Sequence, residues 1–304
     1  MGQNKHASQK TLVGGMVISM CLWGISWSAG KYLTQFCSPV NFVVYRYSIA
    51  TVTLLLMLFA TTTKVKIKKA GIPGVLFSGM LLALYGYFFC KGLKTGYAGA
   101  GGVLVTTLNP IMAYLIGIIL SKNLPTRNET LGLVLGAVAG SVLLQVWDKP
   151  GQIFDSSNLY FLLAALTWAS MSQITSRGHL YGASLSFSFW QYSVTFACMI
   201  PFMDFHELSQ VIYIRSAMFW TDLLFMATIV TTVATTMFFY TTTRLGAGKG
   251  SSFIFLVPFA AALSAWLFLG EHILPHTIIG GMLGMVAVYY TINKKHPEII
   301  TEPD

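Results

Sequence analysis

The chain has 304 residues, 55% of them hydrophobic and only 10% charged. An ordinary soluble domain carries roughly 25% charged residues. Too few charges remain to cover a water-facing surface, which excludes a secreted enzyme, a nucleic-acid-binding module and a disordered protein. The 19 basic and 10 acidic residues leave a net charge of +9, but the basic residues are spread along the chain and form no single patch for an anionic partner.

A hydrocarbon core roughly 30 Å thick is crossed by about 20 apolar residues in a helix. Apolar stretches of that kind occur at 11–33, 40–60, 72–92, 97–120, 130–147, 157–176, 182–203, 217–240, 246–269 and 275–293. They predict an all-α integral membrane protein with ten transmembrane helices. The first stretch follows Lys5 and Lys10 as a secretory signal would, yet it runs past Trp23 to Leu33 and similar stretches recur downstream, so it reads as an uncleaved span. The segment from Lys91 to Gly96 is expected to be the third-to-fourth connection. Cys21, Cys37, Cys90 and Cys198 lie in or beside apolar stretches without C-x-x-C spacing or neighbouring histidines, and read as buried thiols rather than a disulfide or metal framework.

Basic residues flanking spans stay preferentially in the cytoplasm. With both termini inside, the cytoplasmic segments hold Lys5, Lys10, Lys64, Lys66, Lys68, Lys69, Lys122, Arg127, Arg177, Arg244, Lys294 and Lys295. The outside holds only Lys91, Lys94, Lys149 and Arg215, a ratio of twelve to four. Topology therefore accounts for the basic character, and a multi-pass inner (plasma) membrane protein with both termini cytoplasmic is expected. Lys31, Arg46 and Lys249 are left within spans.

The halves resemble each other at an offset of about 148 residues: Gly102, Leu108, Pro110, Ala113, Leu115, Gly132, Leu135 and Gly136 match Gly250, Leu256, Pro258, Ala261, Leu263, Gly280, Leu283 and Gly284. Near the start of each half, Leu22-Trp23-Gly24 matches Thr167-Trp168-Ala169. A repeat of five spans is odd, so the second copy must insert upside down. This divides the chain into 1–150 and 151–304 as two inverted five-helix repeats, an architecture recurrent in secondary transporters with a site at the midplane between the halves.

Charged and polar groups inside spans are the candidates for that site. Trp23, Trp27 and Lys31 fall at steps of four on one helical face. That stripe can bind a planar or anionic group, or Lys31 can snorkel to the interface beside an aromatic belt. Arg46 lies inside the second span with no acidic residue in the first four spans to neutralise it. It can pair a cargo carboxylate or phosphate, or carbonyls freed at a helix break. Its repeat mate is near Gln191. Trp168 and Gln173 form a matching patch in the sixth span, and Asn109 places an amide beside Pro110. Pro110 and Pro258 strand the carbonyls of Thr106 and Ile254 and predict a symmetric pair of cavity-lining hinges near mid-span. Thr228, Thr231, Thr232, Thr235 and Thr236 form a hydroxyl stripe expected to bond carbonyls at i−3 or i−4. Lys249 reads as an interfacial anchor.

The run Trp23-Gly24-Ile25-Ser26-Trp27-Ser28-Ala29-Gly30-Lys31, Pro39 ahead of Arg46, the ninth span from Pro258 to Leu269-Gly270-Glu271, and Gly280, Gly281 and Gly284 together resemble the drug/metabolite transporter superfamily in its EamA-type ten-helix branch. The resemblance covers nearly the whole chain and implies two five-helix repeats and transport, with export of a small metabolite as the family's leaning. It leaves the cargo open among amino acids, nucleosides, sugar phosphates, S-adenosylmethionine and drugs. The first span lacks the embedded glutamate of the related small multidrug exporters, which puts proton antiport by their mechanism in doubt.

The expected function is a secondary transporter moving an amino acid or related polar or amphipathic solute by alternating access. Expected partners are that solute and membrane lipid, with no nucleic acid, and the protein is a monomer or homodimer. No metal, cofactor or catalytic residue is expected, and no G-x-x-x-x-G-K-[ST] phosphate loop occurs. The competing class is a polytopic membrane enzyme or assembly factor, for which His179 with Arg177, or Asp204 with His206 and Glu207, are the available polar groupings.

Overall fold

The computed structural model describes residues 9–121, 125–148, 151, 154–238, 241 and 253–292. Lys249, the stretch 246–252 and the flanking Lys5, Lys122, Lys149, Arg244, Lys294 and Lys295 lie outside the described residues.

All regular secondary structure among the described residues is helical, without strands. Helices α1 (Gln9–Leu33), α2 (Pro39–Ala60), α3 (Ile72–Thr95), α4 (Ala98–Ser121) and α5 (Arg127–Leu143) come from the first half. From the second come α6 (Ser156–Thr175), α7 (Ser184–Met199), α8 (beginning at Ala217–Leu224), α9 (Leu256–Leu269) and α10 (Pro275–Ile292). Each coincides with an apolar stretch read from the sequence. Local signals set the ends: Ser38 caps α2 with Pro39 at its first position, and Thr126 with Glu129 forms a capping box on α5.

One expectation needs correction. The segment from Lys91 to Thr95 is the last turn of α3 rather than a loop. Among the described residues, five runs are both long and apolar enough to cross a membrane: Lys10–Leu33, Pro39–Ala60, Lys69–Thr95, Ala98–Leu120 and Ala217–Phe238. α5, α7, α9 and α10 have 17, 16, 14 and 18 residues. At 1.5 Å per residue they measure about 21 to 27 Å, below the thickness of the apolar core.

The packing follows a two-fold plan. α3 lies on α6 as α8 lies on α1; α4 on α6 as α9 on α1; α3 on α7 as α8 on α2. At three matching positions the helices meet each other and run antiparallel: α2 with α7, α4 with α9 and α5 with α10. Gly99 and Gly102 of α4 lie against Ala265 and Ala261 of α9, and Leu143 at the end of α5 meets Gly280 early in α10.

The α2–α7 seam is tied at both ends. At one end Asn41 Nδ2 donates to Asp204 O (2.9 Å), Asp204 N donates back to Asn41 Oδ1 (3.1 Å), and Ser38 N donates to Glu207 Oε1 (2.6 Å). At the other, Ser186 Oγ donates to Lys64 O (2.6 Å) and Trp190 Nε1 to Val65 O (2.9 Å). The inversion inferred from the odd repeat is thus visible as contacts. Close approach at small residues makes it possible, as in membrane helix pairs generally.

Candidate functional site

Trp23 of α1 and Trp168 of α6, mates in the repeat, meet edge to face with ring centroids 6.3 Å apart. Trp23 also packs on Phe238 of α8 at 5.1 Å, and Trp168 on Tyr85 of α3 at 4.7 Å. Four rings from α1, α3, α6 and α8 therefore cluster between the halves, each half contributing two. Trp27, one turn further along α1, is only 3% exposed. It is wedged against Phe89 (4.8 Å) and Phe161 (5.9 Å) and over Gly102. The tryptophan stripe thus splits, with Trp27 filling the core and Trp23 facing its repeat mate.

Arg46 is 7% exposed. Its Nε donates to Thr231 Oγ1 of α8 at 2.9 Å, and its guanidinium carbon lies 5.6 Å from the Tyr47 ring centroid and 5.9 Å from that of Phe89. Nη1 is buried without a hydrogen-bond partner among the described residues. Tyr192 of α7 stands edge to face on Tyr47 at 5.3 Å and donates its hydroxyl to Thr231 O at 3.0 Å. Residue 231 thus gathers one side chain from each half.

The hydroxyl stripe departs from expectation. α8 is π-helical over Phe225–Ala234, and Thr231, Thr232 and Thr235 donate to the carbonyls of Met226, Ala227 and Val230, five residues back. Thr228, where the α-helix gives way, still bonds Leu224 O at i−4. π-helical segments are rare and concentrate at functional sites.

The remaining candidates do other work. Lys31 Nζ donates to Leu93 O (2.6 Å) and Gly96 O (2.8 Å), placing a cation on the negative end of α3. It is neither a lone snorkelling lysine nor an open ammonium. Gln173 Nε2 ties α6 to Ala113 O of α4 at 2.8 Å. Gln191 is buried and donates to Thr175 Oγ1 at 3.2 Å. As Arg46 joins α2 to α8, Gln191 joins α7 to α6 and reaches toward Ser78 O of α3 at 3.5 Å. Asn109 Oδ1 is buried without a partner among the described residues.

Thr106, Pro110, Ile254 and Pro258 line one small cleft with Gly284, so the matched prolines do converge. Only Pro110 is interior to its helix. Pro258 is the third residue of α9, after the 3-10 turn Phe253–Phe255, where a missing N–H removes no intrahelical bond. The expected symmetric mid-helix pair is therefore a single interior proline and a first-turn proline.

Glu271 stands at the end of the ninth span, in the run Leu269-Gly270-Glu271. Oε1 and Oε2 accept from Ala98 N and Gly99 N, both at 2.8 Å, so the carboxylate closes the start of α4. A carboxylate just past Gly270, the glycine with positive φ that ends α9, was the available signal. The groupings that could have suited an enzyme are caps. Asp204 Oδ1 accepts from His206 N and Glu207 N at the start of the short helix Phe205–Val211, and His179 Nδ1 pairs with Ser176 O.

The EamA-like transporter family model matches residues 11–145 and again 155–293. The chain is 22% identical over 289 residues to the "Uncharacterized transporter YdfC" of Bacillus subtilis (strain 168), covering 92% of this chain and 91% of that one. It is 23% identical over 291 residues to an "Uncharacterized transporter" of Archaeoglobus fulgidus, covering 92% and 98%. A solved crystal structure of a protein 14% identical superposes with a TM-score of 0.61 over 93% of this chain and 98% of that one, a likeness of fold. With the repeat matched twice and its helices meeting across an inverted two-fold plan, the chain belongs to the EamA-like transporter family.

Proposed function

We propose that the protein is a secondary transporter exporting a small metabolite, an amino acid or related polar or amphipathic solute, across the cytoplasmic membrane by alternating access. Ten spans in two inverted repeats, 1–150 and 151–304, carry both termini on the cytoplasmic side, and the protein works as a monomer or homodimer without nucleic acid. The cargo sits between the halves, against the Trp23–Trp168 cluster, with its anionic group on Arg46. The observation that carries this reading is the Arg46 guanidinium. It is a cation held almost fully buried at the junction of the halves, with Nη1 still lacking an acceptor. Buried donors left unpaired are costly, and membrane-embedded charges are retained for a use.

The test is transport by the purified chain in liposomes. Labelled cargo drawn from a metabolite panel should show counterflow at zero pH gradient and zero membrane potential, because the Glu271 carboxylate is already engaged by two amides. Counterflow by no member of the panel refutes transport. Net uphill movement that requires a proton gradient refutes the exchange mechanism.

Cysteine-accessibility labelling checks the orientation. Residues 64–69 and both termini should label from the cytoplasm, and residues 148–155 and 204–209 from outside. External labelling of residues 64–69 reverses the assignment.

A further inference from the structure

We propose that the anion taken by Arg46 is a monocarboxylate, and that Thr231 is the positioning residue that aims the guanidinium at it. The inference rests on the assignment of Arg46 to cargo made above.

A threonine hydroxyl has one proton to give and lone pairs to receive. Thr231 Oγ1 gives its proton to Met226 O at 2.7 Å. Its remaining capacity is as an acceptor, and Arg46 Nε occupies it at 2.9 Å. The bond to Met226 spans five residues, a reach that follows from the π register of Phe225–Ala234. Tyr192 braces the same residue from its carbonyl side. The Nε end of the guanidinium is thereby fixed, and Nη1 is left buried without a partner among the described residues. A planar guanidinium clamped at Nε with Nη1 still unsatisfied suits a planar anion, and a carboxylate matches the shape of its fork.

Charge balance narrows the class further. Arg46 brings one positive charge to this buried place. The neighbouring embedded cation, Lys31, is already on the Leu93 and Gly96 carbonyls. The faces of Tyr47 and Phe89 beside the guanidinium are aromatic rather than charged. A monoanion leaves the site neutral. A phosphate dianion leaves one charge uncompensated in a low-dielectric interior, where unpaired charge is costly.

Acetate, butyrate and inorganic phosphate are the probes, each at matched ionic strength against chloride, with the purified full chain in detergent. Binding is read from tryptophan fluorescence and from the rise in Tm that ligand binding to the folded state produces. The expected result is stabilisation by acetate and butyrate and none by phosphate. Thr231→Val, close in shape but without the hydroxyl, should weaken carboxylate binding about 5- to 10-fold, the loss of one hydrogen bond's worth of positioning. Thr231→Ser should restore the parent value, which a purely packing role for the threonine methyl would not.

Phosphate stabilising as well as the carboxylates overturns the class. No response to either carboxylate overturns it too, and parent-like binding by Thr231→Val overturns the positioning role. Parent-like carboxylate binding by Arg46→Gln would instead remove the assignment of Arg46 to cargo, so the two failures are distinguishable.

Discussion

Arg46→Gln is expected to weaken cargo binding roughly 10- to 150-fold, the effect of losing one charge-assisted contact of about 1.5 to 3 kcal/mol. The protein should remain inserted and monodisperse, since the substitution removes a buried charge and its desolvation cost, and a Gln amide can still donate to Thr231 Oγ1. Arg46→Lys should recover part of the binding: lysine keeps the charge but loses the fork. Trp23→Ala and Trp168→Ala should also impair binding, because these rings meet between the halves. Trp27→Ala acts differently, as a loss of core packing around Phe89 and Phe161. Equilibrium binding and initial rates in liposomes separate these cases. An Arg46→Gln protein that binds and moves every accepted cargo at the parent rate makes Arg46 a structural residue.

The second large effect lies in the contact between α1 and α9. A Cβ placed on Gly24 would stand 2.3 Å from Ala260 Cβ, 2.7 Å from the Ala260 carbonyl carbon and 2.8 Å from Ala261 N. Backbone cannot swing aside as a side chain does, so even Gly24→Ala must push α9 away. The neighbouring Ser28–Ser264 hydroxyl contact at 2.8 Å goes with it. Gly24→Val should cost about 3 kcal/mol or more, the upper range for overpacking, and appear as a marked drop in the Tm of the detergent-solubilised protein. Gly14 in the same helix is the control, since nothing lies within 4 Å of its Cβ position. Gly14→Ala should be neutral or stabilising by up to about 1 kcal/mol from helix propensity alone. Equal tolerance at both positions means that α1 and α9 are not held this closely.

Much of the architecture could be read from the sequence because hydropathy and parity are one-dimensional signals. Where the residues are described, the apolar stretches became helices within a few residues, and an odd repeat implied the inversion later seen as antiparallel contacts of α2 with α7, α4 with α9 and α5 with α10. The match of Trp23 with Trp168 foretold two rings in equivalent places, and the fold brings them together. What could not be read depended on distant partners. Threonines three and four apart look the same in α or π register. The i−5 bonds of Thr231, Thr232 and Thr235, and the bonds of Thr231 to Arg46 and Tyr192, remote in sequence, appear only in the fold. Lys31 and Glu271 looked like interfacial charges because the helix ends they occupy, α3 and α4, belong to tertiary structure. Pro258 matched Pro110 residue for residue, but α9 starts later in its repeat than α4 does, so one proline interrupts a helix and the other opens one.

The fastening of α2 to α7 at both ends bears on how such a molecule moves. A seam buttoned at both rims does not gape like a clamshell on one side and then the other, because each opening would have to undo bonds to backbone at Asp204 or at Lys64 and Val65. The compliance must then reside in the helices themselves. Among those described, two depart from an unbroken α ladder in their interiors: α4 at Pro110 and α8 along its widened π turns. The motion expected of this protein is bending within α4 and α8 while the α2–α7 seam stays fastened at its ends.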